Sequence, residues 1–384
     1  MSTPATLAPA TVPTVPPPVD FRPAGRLAGW ATRARFLGRV AKGVATGSLY
    51  KINFDVTTHC NSRCLSCNVW KYYDEHPEDL GRELNLEEIE KVFSLLPPSV
   101  SWLSVTGGEP FLREDSERIL HAAFDRIPGL GLVSIPTNAL AKERTLRIVK
   151  GLLSRPHPLL ILSVSLDGPR DVHDRVRGVP GGYDRSWDTY LALRELAKKD
   201  RSFVVCITST VSSLNVTEVA PFLEGLVLDG HALTVTIGHQ GPLYYNTAEE
   251  GLAPTKNHAE VVRIVERILS LKPIRNPKDM LDRIYLARVP EYLERKGSQK
   301  QIIPCAAVKS SVTINHFGEV LPCLMWSHPL GNLRDHGYRL GSVLEAAKAR
   351  ETRQQVIEEK CPNCWTPCEA YQSLIGKMMG RAGG

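Results

Sequence analysis

The chain has 384 residues, 42% of them hydrophobic and 23% charged, with nine cysteines and a formal net charge of +6. This is material for a barrel of about 200 residues plus a smaller domain, and no apolar run is long enough to span a membrane. Thiols in this number, without a recognisable secretion signal, imply a reducing, cytoplasmic compartment, because disulfides would otherwise consume them.

Residues 1–24 carry seven of the 28 prolines among Ala, Thr and Val, the composition of a disordered lead. Residues 25–48 follow as a basic amphipathic helix, with Leu27, Trp30, Ala34, Leu37 and Ala41 recurring near one face. Arg22, Arg26, Arg33, Arg35, Arg39 and Lys42 against Asp20 alone place a charge of +5 in residues 1–42, so the body is almost neutral. The asymmetry points to an acidic partner. Two readings stay open: residues 26–42 lie on an anionic membrane surface, with the protein peripheral to it, or the helix packs across the bottom of a barrel with its arginines solvated. No interleaved aromatic and basic motif occurs elsewhere, so nucleic acid is not an expected partner.

An alternating run, Tyr50 to Val56, reads as a first strand, and Cys60, Cys64 and Cys67 follow on one loop. Soft thiolates at this spacing select an iron-sulfur cluster or zinc. Three ligands leave one position open, where a cubane can bind a small molecule; a structural zinc would normally close its fourth position. The segment His59-Cys-Asn-Ser-Arg-Cys-Leu-Ser-Cys67 resembles the cluster loop of radical S-adenosylmethionine (SAM) enzymes, with Ser66 where many members carry an aromatic. The resemblance implies a [4Fe-4S] cluster on Cys60, Cys64 and Cys67, SAM bound at its open iron, and an electron donor such as flavodoxin or ferredoxin.

An amphipathic helix over residues 86–96 precedes a short apolar run, Trp102 to Val105, and then Thr106-Gly-Gly-Glu-Pro110. Strand, glycine turn, acid and proline make a loop whose backbone can approach a ligand closely. In the resembled family this segment, here Gly107, Gly108 and Glu109, holds the methionyl amino group of SAM. Further β-like runs at 132–136, 159–166, 203–210 and 233–237 alternate with helical patterns. That makes six strands of a parallel sheet with covering helices, and the family's core, a partial (β/α)6 TIM-like barrel, is expected over residues 49–275. Such barrels place their chemistry at the C-terminal strand ends.

The resemblance sets Thr137 or Asn138 near the SAM ribose, although the glycine usual after the Asn is Ala139 here. It adds Ser165 and Asp167 after the fourth strand and Arg177 as partner of the SAM carboxylate, for which a bidentate guanidinium suits. On its own, Asp167 could merely cap a turn. His239, after the sixth strand, reads as a hydrogen-bonded loop residue before it reads as a base, and Cys206 as a small core hydrophobe.

Residues 276–384 form a second domain. Cys305, two strands around a glycine turn from Val312 to Leu321, Cys323, and Cys361-Pro-Asn-Cys-Trp-Thr-Pro-Cys368 can gather four thiolates around one further centre. The pattern resembles the SPASM/twitch extensions of radical SAM enzymes, including the Gly318 to Cys323 interval and Leu330-Gly-Asn-Leu333. It implies one auxiliary [4Fe-4S] cluster on Cys305, Cys323, Cys361 and Cys364, with Cys368 spare or substituting for Cys364. A four-cysteine zinc site is the alternative.

The implied activity is reductive cleavage of SAM to a 5'-deoxyadenosyl radical that takes hydrogen from a small-molecule or lipid-linked substrate, for oxidation, rearrangement or bond formation. The short, proline-rich lead leaves no room for a leader-binding domain, so modification of a peptide or a protein side chain stands as the alternative. A non-catalytic zinc or electron-transfer protein is more remote, since it has no need of the Gly107 to Pro110 loop.

Overall fold

The computed structural model describes residues 26–246, 252–295 and 300–380, with side chains described from residue 31. The proline-rich lead therefore lies outside the described residues, as do the Leu27 and Trp30 side chains.

Six strands appear where the alternation predicts them: β1 (Lys51–Asp55), β2 (Trp102–Thr106), β3 (Leu132–Thr137), β4 (Leu159–Ser165), β5 (Phe203–Val211) and β6 (Leu233–Ile237). Each pairs in parallel with the next, and helices such as Leu86–Ser94, Ser116–Arg126 and Lys142–Leu153 return the chain over the outer face. The first of these starts at a capping box, in which the Asn85 side chain accepts from Glu88 N and the Glu88 carboxylate from Asn85 N. Outward-facing Leu103, Val105, Val133, Ile135, Leu160 and Leu162 are buried beneath the helices. Parallel strands are usually apolar on both faces; here many inner positions are Ser or Thr, too small to fill the barrel, and they surround a cavity of about 740 Å³.

The sheet does not stop at β1. Its order is β6-β5-β4-β3-β2-β1-β7-β8-β9, with β7 (Ser311–Ile314) parallel to β1, β8 (Glu319–Leu321) turning back antiparallel through Gly318, whose φ is +83°, and β9 (Gly331–Asn332) antiparallel to β8. The two strands expected around a glycine turn thus form as a continuation of the barrel sheet. Contacts also cross the expected boundary between residues 275 and 276: Lys272 Nζ donates to the Asp282 carboxylate at 2.6 Å, and Lys278 Nζ, on the Pro277–Ala287 helix, to Thr234 Oγ1 on β6 at 2.6 Å.

The Arg26–Thr46 helix closes the N-terminal end of the barrel. Phe36, Val40 and Val44 are buried with Tyr50, Leu132 and Leu159, against Trp102, Ile161, Val204 and Ile375. The apolar face expected through Ala34, Leu37 and Ala41 is rotated away, and Leu37 stays 50% exposed. Gly43 helps to set that rotation: a Cβ there would lie 2.9 Å from the Tyr50 ring. Two of the arginines also serve packing, Arg33 donating to Arg201 O at 2.7 Å and Arg39 to Gly129 O. Among the described residues no helix is long and apolar enough to cross a membrane.

Candidate active site

The Cys60–Cys67 loop is held from three sides. The Gly107–Gly108 turn presses on its base: Gly108 N donates to Thr57 O at 2.7 Å and Glu109 N to His59 O at 2.8 Å. A Cβ on Gly107 would lie 2.3 Å from Thr57 O, and one on Gly108 2.3 Å from His59 O. The glycines are thus required by the close approach of the cysteine loop itself. On the second side, Arg63 N and Leu65 N donate to Arg177 O and Val176 O, and Gly178, at φ +63°, would meet Arg63 O at 2.3 Å if it carried a Cβ. On the third, Asn68 N donates to Tyr244 O at 2.8 Å and the Asn246 amide to Ser66 O at 2.6 Å.

Cys60, Cys64 and Cys67 line the central cavity together with Gly107, Gly108, Glu109, Thr137, Asn138, Ser165, Asp167 and Arg177, so all the residues expected to serve the first cluster and SAM meet at one end of it. Burial pushes the Cys60 thiol up to about 11 and Cys67 to about 12; bound iron would deprotonate such thiols outright. Donors already face the sulfurs: Ser62 N lies 3.5 Å and the Asn138 amide 3.9 Å from Cys60 Sγ, and the Arg177 guanidinium 3.9 Å from Cys64 Sγ. Hydrogen bonds of this kind suit the thiolates of an iron-sulfur cluster. Among the described residues no three His, Cys, Asp or Glu side chains converge on one metal ion; a cubane asks instead that each thiolate reach its own iron.

Glu109 is buried between β2 and β3, where its carboxylate accepts from Thr137 Oγ1 at 2.8 Å and Asn138 N at 2.7 Å. Burial pushes its carboxyl up to about 7, against the pull of those hydrogen bonds. Asn138 passes the connection on, its amide donating to Asn61 Oδ1 at 2.7 Å and Ser62 Oγ at 3.0 Å. Ala139 adopts φ +58°, the left-handed conformation that explains why a glycine is usual here, and its N–H donates to Thr137 Oγ1.

Asp167 does more than cap a turn. Its carboxylate accepts from Thr210 N at 2.9 Å and from Arg177 Nε at 2.6 Å. The carboxylate and the nearby Cys64 sulfur keep the buried guanidinium firmly protonated despite the cost of desolvation. His239 behaves as a loop residue: Nδ1 donates to Ile237 O, Nε2 accepts from Trp365 N at 3.2 Å, and the ring stacks on Tyr292. Cys206 is buried, as expected of a small core hydrophobe, and also borders the cavity, 3.3 Å from Ser163 Oγ.

The auxiliary cysteines gather in a second pocket, lined by Cys305, Cys323, Cys361 and Cys364 with Gln301, Trp326 and Trp365. Burial drives the Cys305 and Cys323 thiols well above their ordinary value and Cys364 to about 12. Cys368 is absent from this lining and faces the central cavity, with Lys51 donating to its backbone carbonyl. The helix beginning at Pro367 turns it away from the other four, which share one pocket. Gln301 was not singled out by the sequence, yet it orients two of the four, accepting from Cys305 N at 2.7 Å and donating to Cys361 Sγ at 3.5 Å. Asn246 and Tyr244 were likewise missed. They are single polar residues without motif spacing, and only the fold brings them to the site.

Residues 54–218 match the family model of the Radical SAM superfamily, and residues 305–365 that of the SPASM iron-sulfur cluster-binding domain. These segments are a radical SAM domain and a C-terminal SPASM domain, a pair whose cofactors are a [4Fe-4S] cluster, SAM and an auxiliary cluster. The chain is 24% identical over 319 residues to AlbA of Bacillus subtilis (strain 168), an antilisterial bacteriocin subtilosin biosynthesis protein, covering 80% of this chain and 64% of that one. It is 31% identical over 174 residues to the AdoMet-dependent heme synthase of Methanosarcina barkeri (strain Fusaro / DSM 804), covering 45% and 46%. The chain thus spans less than two thirds of the length of these relatives. Its fold is similar to that of Streptococcus suis SuiB bound to SAM, with TM-score 0.53, 13% identity and coverage of 87% and 72%. It is also similar to that of AdoMet-bound anSMEcpe, with TM-score 0.54, 15% identity and coverage of 86% and 95%.

Proposed function

We propose that this radical SAM enzyme modifies a peptide, in the manner of a bacteriocin maturase. The observation that carries the reading is the similarity to AlbA across 80% of the chain, whereas the heme synthase relatives match 35–45% of it. The small-molecule or lipid-linked substrate expected from the short lead gives way to the peptide alternative on this ground.

Cys60, Cys64 and Cys67 hold the first cluster, and Cys305, Cys323, Cys361 and Cys364 the auxiliary one. The cluster and SAM together supply a 5'-deoxyadenosyl radical that removes a hydrogen atom from a substrate carbon. Glu109, Thr137, Asn138, Ser165 and Asp167 would hold SAM, and Arg177, anchored through Nε on Asp167 and with Nη1 beside Cys64 Sγ, would pair with the SAM carboxylate. The barrel excludes water from the radical. A flavodoxin or ferredoxin delivers the electron.

Co-expression with each short open reading frame beside the gene tests the substrate: mass spectrometry should show one peptide lose hydrogen atoms or gain a crosslink, and lose that change with Cys64→Ala. If every peptide stays unmodified while the purified enzyme turns over a porphyrin, the peptide reading fails.

A further inference from the structure

We propose that the N-terminal half of the barrel cavity is a binding pocket for a hydrocarbon group of the substrate, beneath the end that holds the first cluster. The observation is a gradient along the inner faces of four consecutive strands. Beginning at the N-terminal end, β2 presents Trp102 and then Ser104, and β3 presents Leu132 and then Ser134. Strand β4 presents Leu159 and Ile161 before Ser163, and β5 presents Val204 before Thr208; all of these residues line the cavity. The boundary steps up one pair between β3 and β4, where Ser134 pairs with Ile161, as strand tilt in a barrel requires. The cluster end is hydroxylated and the far end is hydrocarbon.

That apolar end is lined but not filled. In a closed barrel, inward side chains interdigitate into a packed core. Here Ile161 and Val204, on interior strands, keep partial exposure, and Phe36 and Val40 cap the end without occupying it. Apolar cavities stay dry and take apolar ligands. Three cations border the pocket and each is engaged, Arg33 through its hydrogen bond to Arg201 O at 2.7 Å. Lys51 donates to Cys368 O and sits 4.7 Å over the Trp102 ring, while Lys278 donates to Thr234 Oγ1 at 2.6 Å and to the Asp282 carboxylate at 2.8 Å. The substrate is therefore amphiphilic, with its reacting group among the hydroxyls and an apolar group below. On the peptide reading, on which only this last assignment rests, the apolar group is a large hydrocarbon side chain near the modified residue.

N-phenyl-1-naphthylamine, a neutral fluorophore that brightens in apolar surroundings, tests the pocket on the anaerobic holoenzyme. Saturable binding at one site per chain is expected. Ile161→Trp and Val204→Phe, which fill the space from different strands, should each weaken it by about tenfold or more with iron content and SAM binding unchanged. A trifluoromethylphenyl diazirine should label wild-type peptides containing Leu159, Ile161 or Val204, which needs no variant. Non-saturable binding, wild-type affinity in both filled variants, or labelling elsewhere overturns the proposal. Displacement by a blocked leucine-rich tripeptide supports the side-chain source; displacement by octanol alone keeps the pocket and removes the peptide from it.

Discussion

Asp55 and Glu109 are carboxyls that the barrel strips of water, and their consequences differ. Burial alone pushes Asp55 up to about 7 from 3.8. The native state then keeps a proton that the unfolded chain releases, so stability falls as pH rises from about 4 to about 7. Asp55→Asn should flatten that slope in anaerobic thermal melts of the holoenzyme; an unchanged slope would place the titration elsewhere. Glu109 shifts in the same direction but carries bonds, and Glu109→Ala leaves Thr137 Oγ1 and Asn138 N without their acceptor. A loss of about 1–3 kcal/mol in SAM binding should follow, read by equilibrium dialysis. Gly108→Ala should cost the first cluster, because its Cβ would lie 2.3 Å from His59 O and displace the cysteine loop.

At the scale of elements, the Arg26–Thr46 helix separates a correct periodicity from a correct face. Phe36 is 9% exposed and Leu37 50%. Phe36→Ala should therefore destabilise by about 3 kcal/mol, whereas Leu37→Ala should stay within about 0.5 kcal/mol; equal losses in denaturant titrations would contradict the packing. Among the described side chains, the membrane role proposed for residues 26–42 rests on the exposed Arg35 and Lys42, since Arg33 and Arg39 donate to backbone carbonyls. The helical repeat was legible in the sequence. Its rotation was not, because the small positions, Ala34, Gly43 and Ala41, fit more than one face and the Tyr50 ring chooses among them.

For the whole molecule, the two cysteine groups predict iron content. Wild-type protein reconstituted without oxygen should hold about eight irons per chain, and the Cys60, Cys64, Cys67 triple alanine variant about four. Cys364→Ala should lose the auxiliary cluster, but Cys368→Ala should keep both, because its side chain faces the central cavity. Iron and sulfide assays with electron paramagnetic resonance separate these outcomes; loss of the auxiliary signal in Cys368→Ala would reverse the assignment.

The cluster loop, the Gly107–Glu109 turn, six strand positions and the auxiliary cysteines were readable from the chain because each is a local pattern. Thiolate spacing, glycine beside an acid, and period-two alternation are properties of consecutive residues. The tertiary structure alone decided that β7 extends the barrel sheet beside β1, since a hairpin's sequence does not say which edge it joins. It alone joined Asp167 to Arg177, Gln301 to Cys305 and Cys361, and Asn246 to Ser66. These contacts are made by single side chains that carry no periodicity, so they exist only where separate strand ends converge. The separation of Cys364 from Cys368 has the same origin: both thiols follow one motif, and the direction of the Pro367–Met378 helix sends them into different cavities.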